Sequence, residues 1–195
     1  MEKVSYALGL SIGNNLTGSG IKDVNLEKFM QGVSDVLQQK TTEMSYDEAK
    51  TVLDAYFQEL ASKMQALNQQ IGVEFLAENK QKAGVVELPS GLQYQILTEG
   101  TGDTPSAADQ VECHYHGTML NGQVFDSSVE RGEPAVFGVG QVIAGWVEAL
   151  QLMKEGSKWR LFIPSQLAYG ERGAGEAIPP FATLIFDVEL LKVIK

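Results

Sequence analysis

The chain has a single cysteine, Cys113, so no disulfide can staple one part of it to another. It has no proline before Pro89 and only two histidines. Positive charge is scarce: 15 Lys and Arg stand against 25 Asp and Glu, a formal net charge of −10. No basic run offsets that balance, so a phosphate backbone is repelled and nucleic acid is not an expected partner. Long apolar runs are missing too. No stretch of 18 apolar residues occurs, which excludes a membrane-spanning helix. The opening MEKVSYALGLSIG is broken by Ser5, Tyr6 and Gly9 and has neither a basic leading region nor a small-residue cleavage site. A reducing compartment and a cytoplasmic location are expected; a mature periplasmic chain starting at the same residue would read identically.

What is present divides the chain in two. All six prolines and 13 of the 20 glycines lie beyond residue 84, so the first part reads helical and the second reads as strands and turns. Three helices fit the first part. One runs from Ser5 to about Leu16 and carries Gly9 and Gly13 on one face, where either another backbone or its own domain can approach. The second is capped by Asn25 and runs to about Gln39, with Leu26, Phe29, Met30, Val33, Val36 and Leu37 at helical spacing. The third opens on the capping box Ser45-Tyr46-Asp47-Glu48 and keeps helical apolar spacing to about Gln81. At 1.5 Å per residue it would be about 55 Å long, too long for a 44-residue helical pair to cover its apolar stripe. It is expected to pack on another chain, to bridge to the second domain, or both; the alternative is a break near Gly72. The expected organisation is a helical domain over 1–44, a connecting helix over 45–83 and a second domain over 84–195.

In that second domain Gln93–Thr98, Val111–Met119, Val124–Ser127, Lys158–Pro164 and Thr183–Ile194 alternate as strands, and Asn121-Gly122 is a hairpin signal. Ile143–Leu152 is the one helical stretch. The pattern predicts an α+β fold: helices first, then an antiparallel sheet wrapped over one short helix, with a small apolar pocket between sheet and helix.

Conventional catalytic sets are poorly supported. Period two puts Glu112, His114 and His116 on one strand face and Val111, Cys113 and Tyr115 on the other. A His-x-His pair without further ligands reads as a solvated strand face, so no metal and no cofactor is expected. Cys113 reads as core. Ser127 and Ser128 form no ordered Ser/His/Asp set. More informative are aromatic and aliphatic residues gathered near turns, with Asp126 directly after Phe125 and Arg131 a few residues on.

Those residues carry a resemblance. Val124-Phe125-Asp126-Ser127-Ser128 with Arg131-Gly132-x-Pro134, then Val142-Ile143-x-Gly145-Trp146, then Ala168-Tyr169-Gly170 and Ile178-Pro179-Pro180, resemble the pocket motifs of the FKBP-type peptidyl-prolyl cis-trans isomerases. Phe186 falls where that family has a pocket Phe, and Tyr115 matches the aromatic of the first long strand. The N-terminal part is similar to the Mip-like, FKBP22-like branch through Ser5-Tyr6-x-x-Gly9 and its helical layout. The resemblance implies an isomerase of X-Pro bonds without covalent or metal chemistry. It implies catalytic roles for Asp126, Tyr169, Phe125, Trp146 and Phe186, and substrate contacts at Tyr115, Arg131, Phe137, Val142, Ile143, Ala168 and Ile178. It also implies proline-containing peptides and unfolded proteins as partners, macrolide inhibitors as ligands, and a homodimer formed through the N-terminal helices with chaperone activity. Three alanines depart from the family pattern, Ala135, Ala174 and Ala177, and are expected to widen the pocket rim. A catalytically weak binding module of the same fold is the alternative they favour.

Overall fold

The computed structural model describes residues 1–195. The chain separates into two compact units, Met1–Ser62 and Lys63–Lys195. The first unit contains α1 (Glu2–Gly18), α2 (Leu26–Leu37) and the start of α3 (Tyr46–Asn79). Each begins as its sequence dictates. The Asn25 side chain accepts from the Lys28 N–H at 3.0 Å and caps α2. Ser45 and Glu48 close a reciprocal box at the head of α3: the Ser45 N–H donates to Glu48 Oε2 at 2.8 Å and the Glu48 N–H to Ser45 Oγ at 3.3 Å. No residue of this unit is buried. Tyr6, Leu8 and Leu10 of α1 and Leu26, Met30 and Leu37 of α2 all stand exposed. Nothing lies within 4 Å of a Cβ built at Gly9 or Gly13.

α3 is a single helix of 34 residues and does not break at Gly72. The reason is a close approach. A Cβ at Gly72 would lie 2.3 Å from Thr183 Oγ1, so the residue that weakens the helix locally, by about 1 kcal/mol against Ala, lets its backbone reach the following domain. Within the second unit the end of α3 is further held by Phe75 against Phe162, ring centroids 5.9 Å apart. A buried amide pair completes the docking: Asn79 donates to Gln93 Oε1 at 3.0 Å, and Gln93 donates to the Leu76 carbonyl at 2.8 Å. Both amides are excluded from water, and their mutual bonds avoid the cost of an unsatisfied buried polar group, about 1–3 kcal/mol.

The rest of the second unit is one antiparallel sheet. Its strands are β1 (Val85–Glu87), β2 (Gln93–Thr98), β3 (Gln110–Met119), β4 (Val124–Ser127), β5 (Ala135–Gly138), β6 (Lys158–Ile163) and β7 (Leu184–Ile194). The order is β1-β2-β6-β7-β3-β4, with β5 also on β3. Thus β4 and β5 share one edge of β3, at His116–Thr118 and Gln110–Cys113 respectively. They are separated by a single helical turn, α4 (Ser128–Arg131). The hairpin turn between β3 and β4 contains Asn121-Gly122, and Gly122 has φ +83°. Period two holds along β3: Val111, Cys113, Tyr115 and Gly117 are buried, while Glu112, His114 and His116 are only partly covered. The buried side faces α5 (Ala144–Leu150), whose Trp146, Ala149 and Leu150 are buried on it. The core lies between them, built from Val111, Leu161, Ile163, Val188 and Leu190 with the α5 residues.

Five strands stand where the alternation placed them, and the α+β class holds. β1, β5 and α4 were not anticipated. β1 falls at the start of the second domain, ahead of the first strand that alternation marks, and all three elements are only three or four residues long. The two strands form because β2 and β3 supply their hydrogen bonds, and α4 because Ser127 caps a single turn, not because of any periodicity of their own.

Candidate functional site

The site grows out of the junction between β4 and α4. Ser127 ends the strand and caps the turn, its Oγ accepting the Glu130 N–H at 3.2 Å. This abrupt change from extended to helical backbone brings Asp126 and Arg131 to one spot. Arg131 Nη1 donates to Asp126 Oδ1, and its Nη2 donates to the Tyr115 hydroxyl at 2.8 Å. That hydroxyl in turn donates to Asp126 Oδ2 at 2.6 Å. The guanidinium also lies 5.6 Å from the Tyr115 ring centroid, a cation–π contact.

Charge in this trio is fixed. Partial burial pushes the Asp126 carboxyl up, but hydrogen bonds from Tyr115 and Arg131, with the guanidinium charge, outweigh it and hold the group below the ordinary carboxylate value. Burial, then the bond to Asp126, raises the Tyr115 phenol. Asp126 is therefore an anion and Tyr115 a neutral donor across the neutral pH range. Since the Asp126 side chain remains 45% exposed, the pairing is an orienting device more than a source of stability.

Beside the trio lies a box of aromatic rings. Trp146 meets Tyr115 at 5.5 Å, Phe137 at 5.5 Å and Phe186 at 5.3 Å, all near-perpendicular, and Phe125 meets Phe186 at 5.3 Å and 84°. These edge-to-face contacts suit the ring quadrupoles and hold the rings at fixed angles. Gly117 makes the arrangement possible, because a Cβ there would sit 2.7 Å from both Phe125 and Phe186. The rings enclose one side of a cavity of about 630 Å³.

Ten of the residues named from the sequence line this cavity: Tyr115, Phe125, Asp126, Phe137, Val142, Ile143, Trp146, Tyr169, Ile178 and Phe186. Ile143 is the N-cap of α5, and its own N–H makes no hydrogen bond within the chain, leaving a donor at the cavity wall. Arg131 does not line the cavity and is joined to it only by its bonds to Asp126 and Tyr115. Ala168 packs against the core instead of the cavity. Ala174 and Ala177 are at the rim as expected, but Ala135 is not; it is paired with Cys113 on β3, and its methyl packs against the core. Gln141 also lines the cavity. No sequence signal marked it, since an exposed amide beside Val142 looks like any loop residue.

The histidine face has its own occupants. His114 Nδ1 lies 3.1 Å from Ser128 Oγ, and His116 Nδ1 lies 2.9 Å from Ser127 Oγ. Both serine oxygens are already engaged by backbone N–H groups, of Tyr115 and Glu130 respectively, so neither is poised as a nucleophile. Cys113 is fully buried, and burial, with Glu112 nearby, pushes its thiol up to about 12. The chemistry available is thus an apolar, ring-walled cavity with one oriented carboxylate and a free backbone donor.

Comparison with known proteins bears on what enters it. A family described as "FKBP-type peptidyl-prolyl cis-trans isomerase" matches residues 102–191, and one described as "Domain amino terminal to FKBP-type peptidyl-prolyl isomerase" matches residues 1–96. The "FKBP-type 22 kDa peptidyl-prolyl cis-trans isomerase" of Escherichia coli (strain K12) is 44% identical over 199 residues, covering 98% of this chain and 95% of that protein. "Peptidyl-prolyl cis-trans isomerase Mip" of Coxiella burnetii is 40% identical over 201 residues, covering 100% of this chain and 87% of that protein. Among solved structures, the crystal structure of FkpA from Escherichia coli superposes with a TM-score of 0.79 at 36% identity, covering 98% of this chain and 95% of that one.

Proposed function

The chain belongs to the FKBP-type peptidyl-prolyl cis-trans isomerases, and from that premise we propose that the ring-walled cavity is where it turns the X-Pro bond. The enzyme is a peptidyl-prolyl cis-trans isomerase. Its task is set by the amide itself. Partial double-bond character gives a barrier of about 18–20 kcal/mol, and X-Pro bonds in folding chains interconvert over tens to hundreds of seconds. No bond is made or broken, so neither a nucleophile nor a proton acceptor is needed. A peptide twisted out of plane loses resonance, and its carbonyl oxygen gives up negative charge. An apolar site with little water favours that twisted form over the planar, more dipolar one, which is differential binding of the transition state. A thousandfold acceleration requires about 4 kcal/mol of such preference.

In this reading the prolyl ring lies on Trp146, between Phe125, Phe137, Val142 and Phe186. The Ile143 N–H and the Tyr169 hydroxyl hold the flanking carbonyls. Asp126, oriented by Tyr115 and Arg131, faces the carbonyl carbon of the rotating bond. The observation that carries the assignment is the joining of the Tyr115–Asp126–Arg131 trio to the perpendicular ring box in one cavity. Macrolides that bind this family would occupy the same cavity and compete with peptide, and the small side chains of Ala174 and Ala177 leave its rim open to bulkier groups. Isomerisation of a short X-Pro peptide by wild type, Phe125→Ala and Asp126→Leu tests the site: both variants should lose turnover while remaining folded. Undiminished turnover in both would place the reaction elsewhere.

The first unit supports a further role as a homodimer. Its helices bury no residue of their own, and the apolar side chains of α1 and α2 need a cover. A second copy provides one, and two isomerase sites on one unfolded substrate raise effective concentration without new contacts. Every buried residue lies at Gly72 or later, so Lys63–Lys195 holds the whole core. That fragment should match the full chain on short peptides but fall behind it in proline-limited refolding of a protein. Equal performance in refolding would remove the dimer from the mechanism.

A further inference from the structure

The outer rim of the cavity is formed by the segment Gly170–Pro180, which places Ile178, buried, over the rings. Three sets of bonds hold this flap. Ala174 and Ile178 exchange backbone bonds of 2.8 and 3.1 Å, closing it as a narrow loop. At its base the Phe181 N–H donates to the Gly170 carbonyl at 2.8 Å. The third tie comes from α3: Asn68 Nδ2 donates to the Pro180 carbonyl at 3.0 Å, and that carbonyl has no other partner in the chain. One turn along the same helix face is Gly72, in contact with Thr183. The helix therefore meets the flap's base on both sides of Phe181 and Ala182.

Phe181 itself has φ +59°, a region that residues with a side chain occupy only when their surroundings over-determine it. The preceding prolines offer no N–H for an alternative turn. The planar peptide between Pro180 and Phe181 is thus held at both ends, its N–H by the Gly170 carbonyl and its carbonyl by Asn68, and the bond from Asn68 is the one that ties this strained turn to α3.

We propose that Asn68 and Gly72 are positioning residues for isomerisation: through them α3 holds the flap at the height where Ile178 closes the cavity. The inference rests on the reading of that cavity as the isomerase site. Released from Asn68, the flap lifts at Ile178, water enters, and the preference for the twisted amide weakens, while the Trp146 floor is unchanged.

The test uses the full chain with Asn68→Ala, Asn68→Asp (the same shape without a donor), Gly72→Ala, and Gly72→Ala combined with Thr183→Ala. Amide hydrogen exchange is followed at Ala174, Ile178 and Phe181 and, for comparison, at Leu161 in β6. Isomerisation of a short X-Pro peptide is measured alongside. Both Asn68 variants and Gly72→Ala should speed exchange at the three flap amides about tenfold and lower kcat/KM about five- to tenfold, with Leu161 unchanged. Removing Thr183 Oγ1 in the double variant should restore both. Unchanged flap exchange in the Asn68 variants, an equal rise at Leu161, or no recovery in the double variant would overturn the proposal. Asp126→Leu separates this from the site assignment. Lost turnover there beside normal Asn68 variants overturns the tie alone; full turnover there overturns the site and, with it, the flap's effect on catalysis.

Discussion

Gly117 is the position at which a single methyl group should disable the cavity. Its added Cβ would stand 2.7 Å from Phe125 Cζ and 2.7 Å from Phe186 Cε1. Non-bonded carbons settle at about 3.5–4.0 Å, so Gly117→Ala needs each ring to retreat by about 1 Å, or β3 to move. The strand is poorly placed to move, because β7 pairs with it on one edge at Phe186 and β4 on the other at Asp126. The rings must give, and Phe186 transmits the shift to Trp146, 5.3 Å away. Overpacking of this kind costs about 1–3 kcal/mol, and degrading the Phe125–Phe186 pair removes part of the roughly 0.5–1.5 kcal/mol such a contact contributes. Urea unfolding should therefore show a loss of about 2–3 kcal/mol. The peptide assay should show more, since a wall displaced by about 1 Å can cost up to about a hundredfold in rate. A fall in kcat/KM of about 10- to 100-fold is expected. If Gly117→Ala keeps wild-type stability and wild-type kcat/KM, Phe125 and Phe186 do not wall the reacting centre, and the argument from ring geometry is wrong.

Turnover should be level through neutral pH and fall in acid. The folded Asp126 titrates below its unfolded value of about 3.9, so its contribution is complete above that value and is lost only as pH drops through the lower folded one. A profile that already declines between about pH 6 and 5 would show the carboxylate is not held this way. Asn79→Ala strands the buried Gln93 Oε1 without a donor and should lower stability by about 1–3 kcal/mol in urea; a change too small to measure would mean that water reaches Gln93. Cys113, buried with its thiol pushed up to about 12, should resist disulfide-exchange reagents in the native protein and react on unfolding. Rapid labelling of the folded chain would contradict the packing of β3.

Much of this was legible in the residues. The capping box at Ser45, the cap at Asn25 and the alternation along Val111–Gly117 are local rules, satisfied by neighbours in the chain, and they appear in the structure where they were read. The site motifs were legible because turn chemistry constrains them: Asp126 and Arg131 converge through the Ser127 cap only five positions apart. Less legible were elements with no signal of their own. β1 and β5 exist because β2 and β3 present unpaired edges to them. Ala135 looked like a rim residue from its place in the motif, yet its side chain faces the core.

The sequence by itself determined the helical and β-rich parts, the face each strand buries, and the residues that could form an apolar site, since caps, periodicity and turns act over a few positions. Only the tertiary structure decided that Gly72 permits contact instead of a break, that Gly117 makes space for two rings, and that Asn68 reaches a carbonyl 112 positions away. Those outcomes depend on which backbones come within a few ångströms of one another, and that distance is set by packing across the chain, which no local pattern encodes.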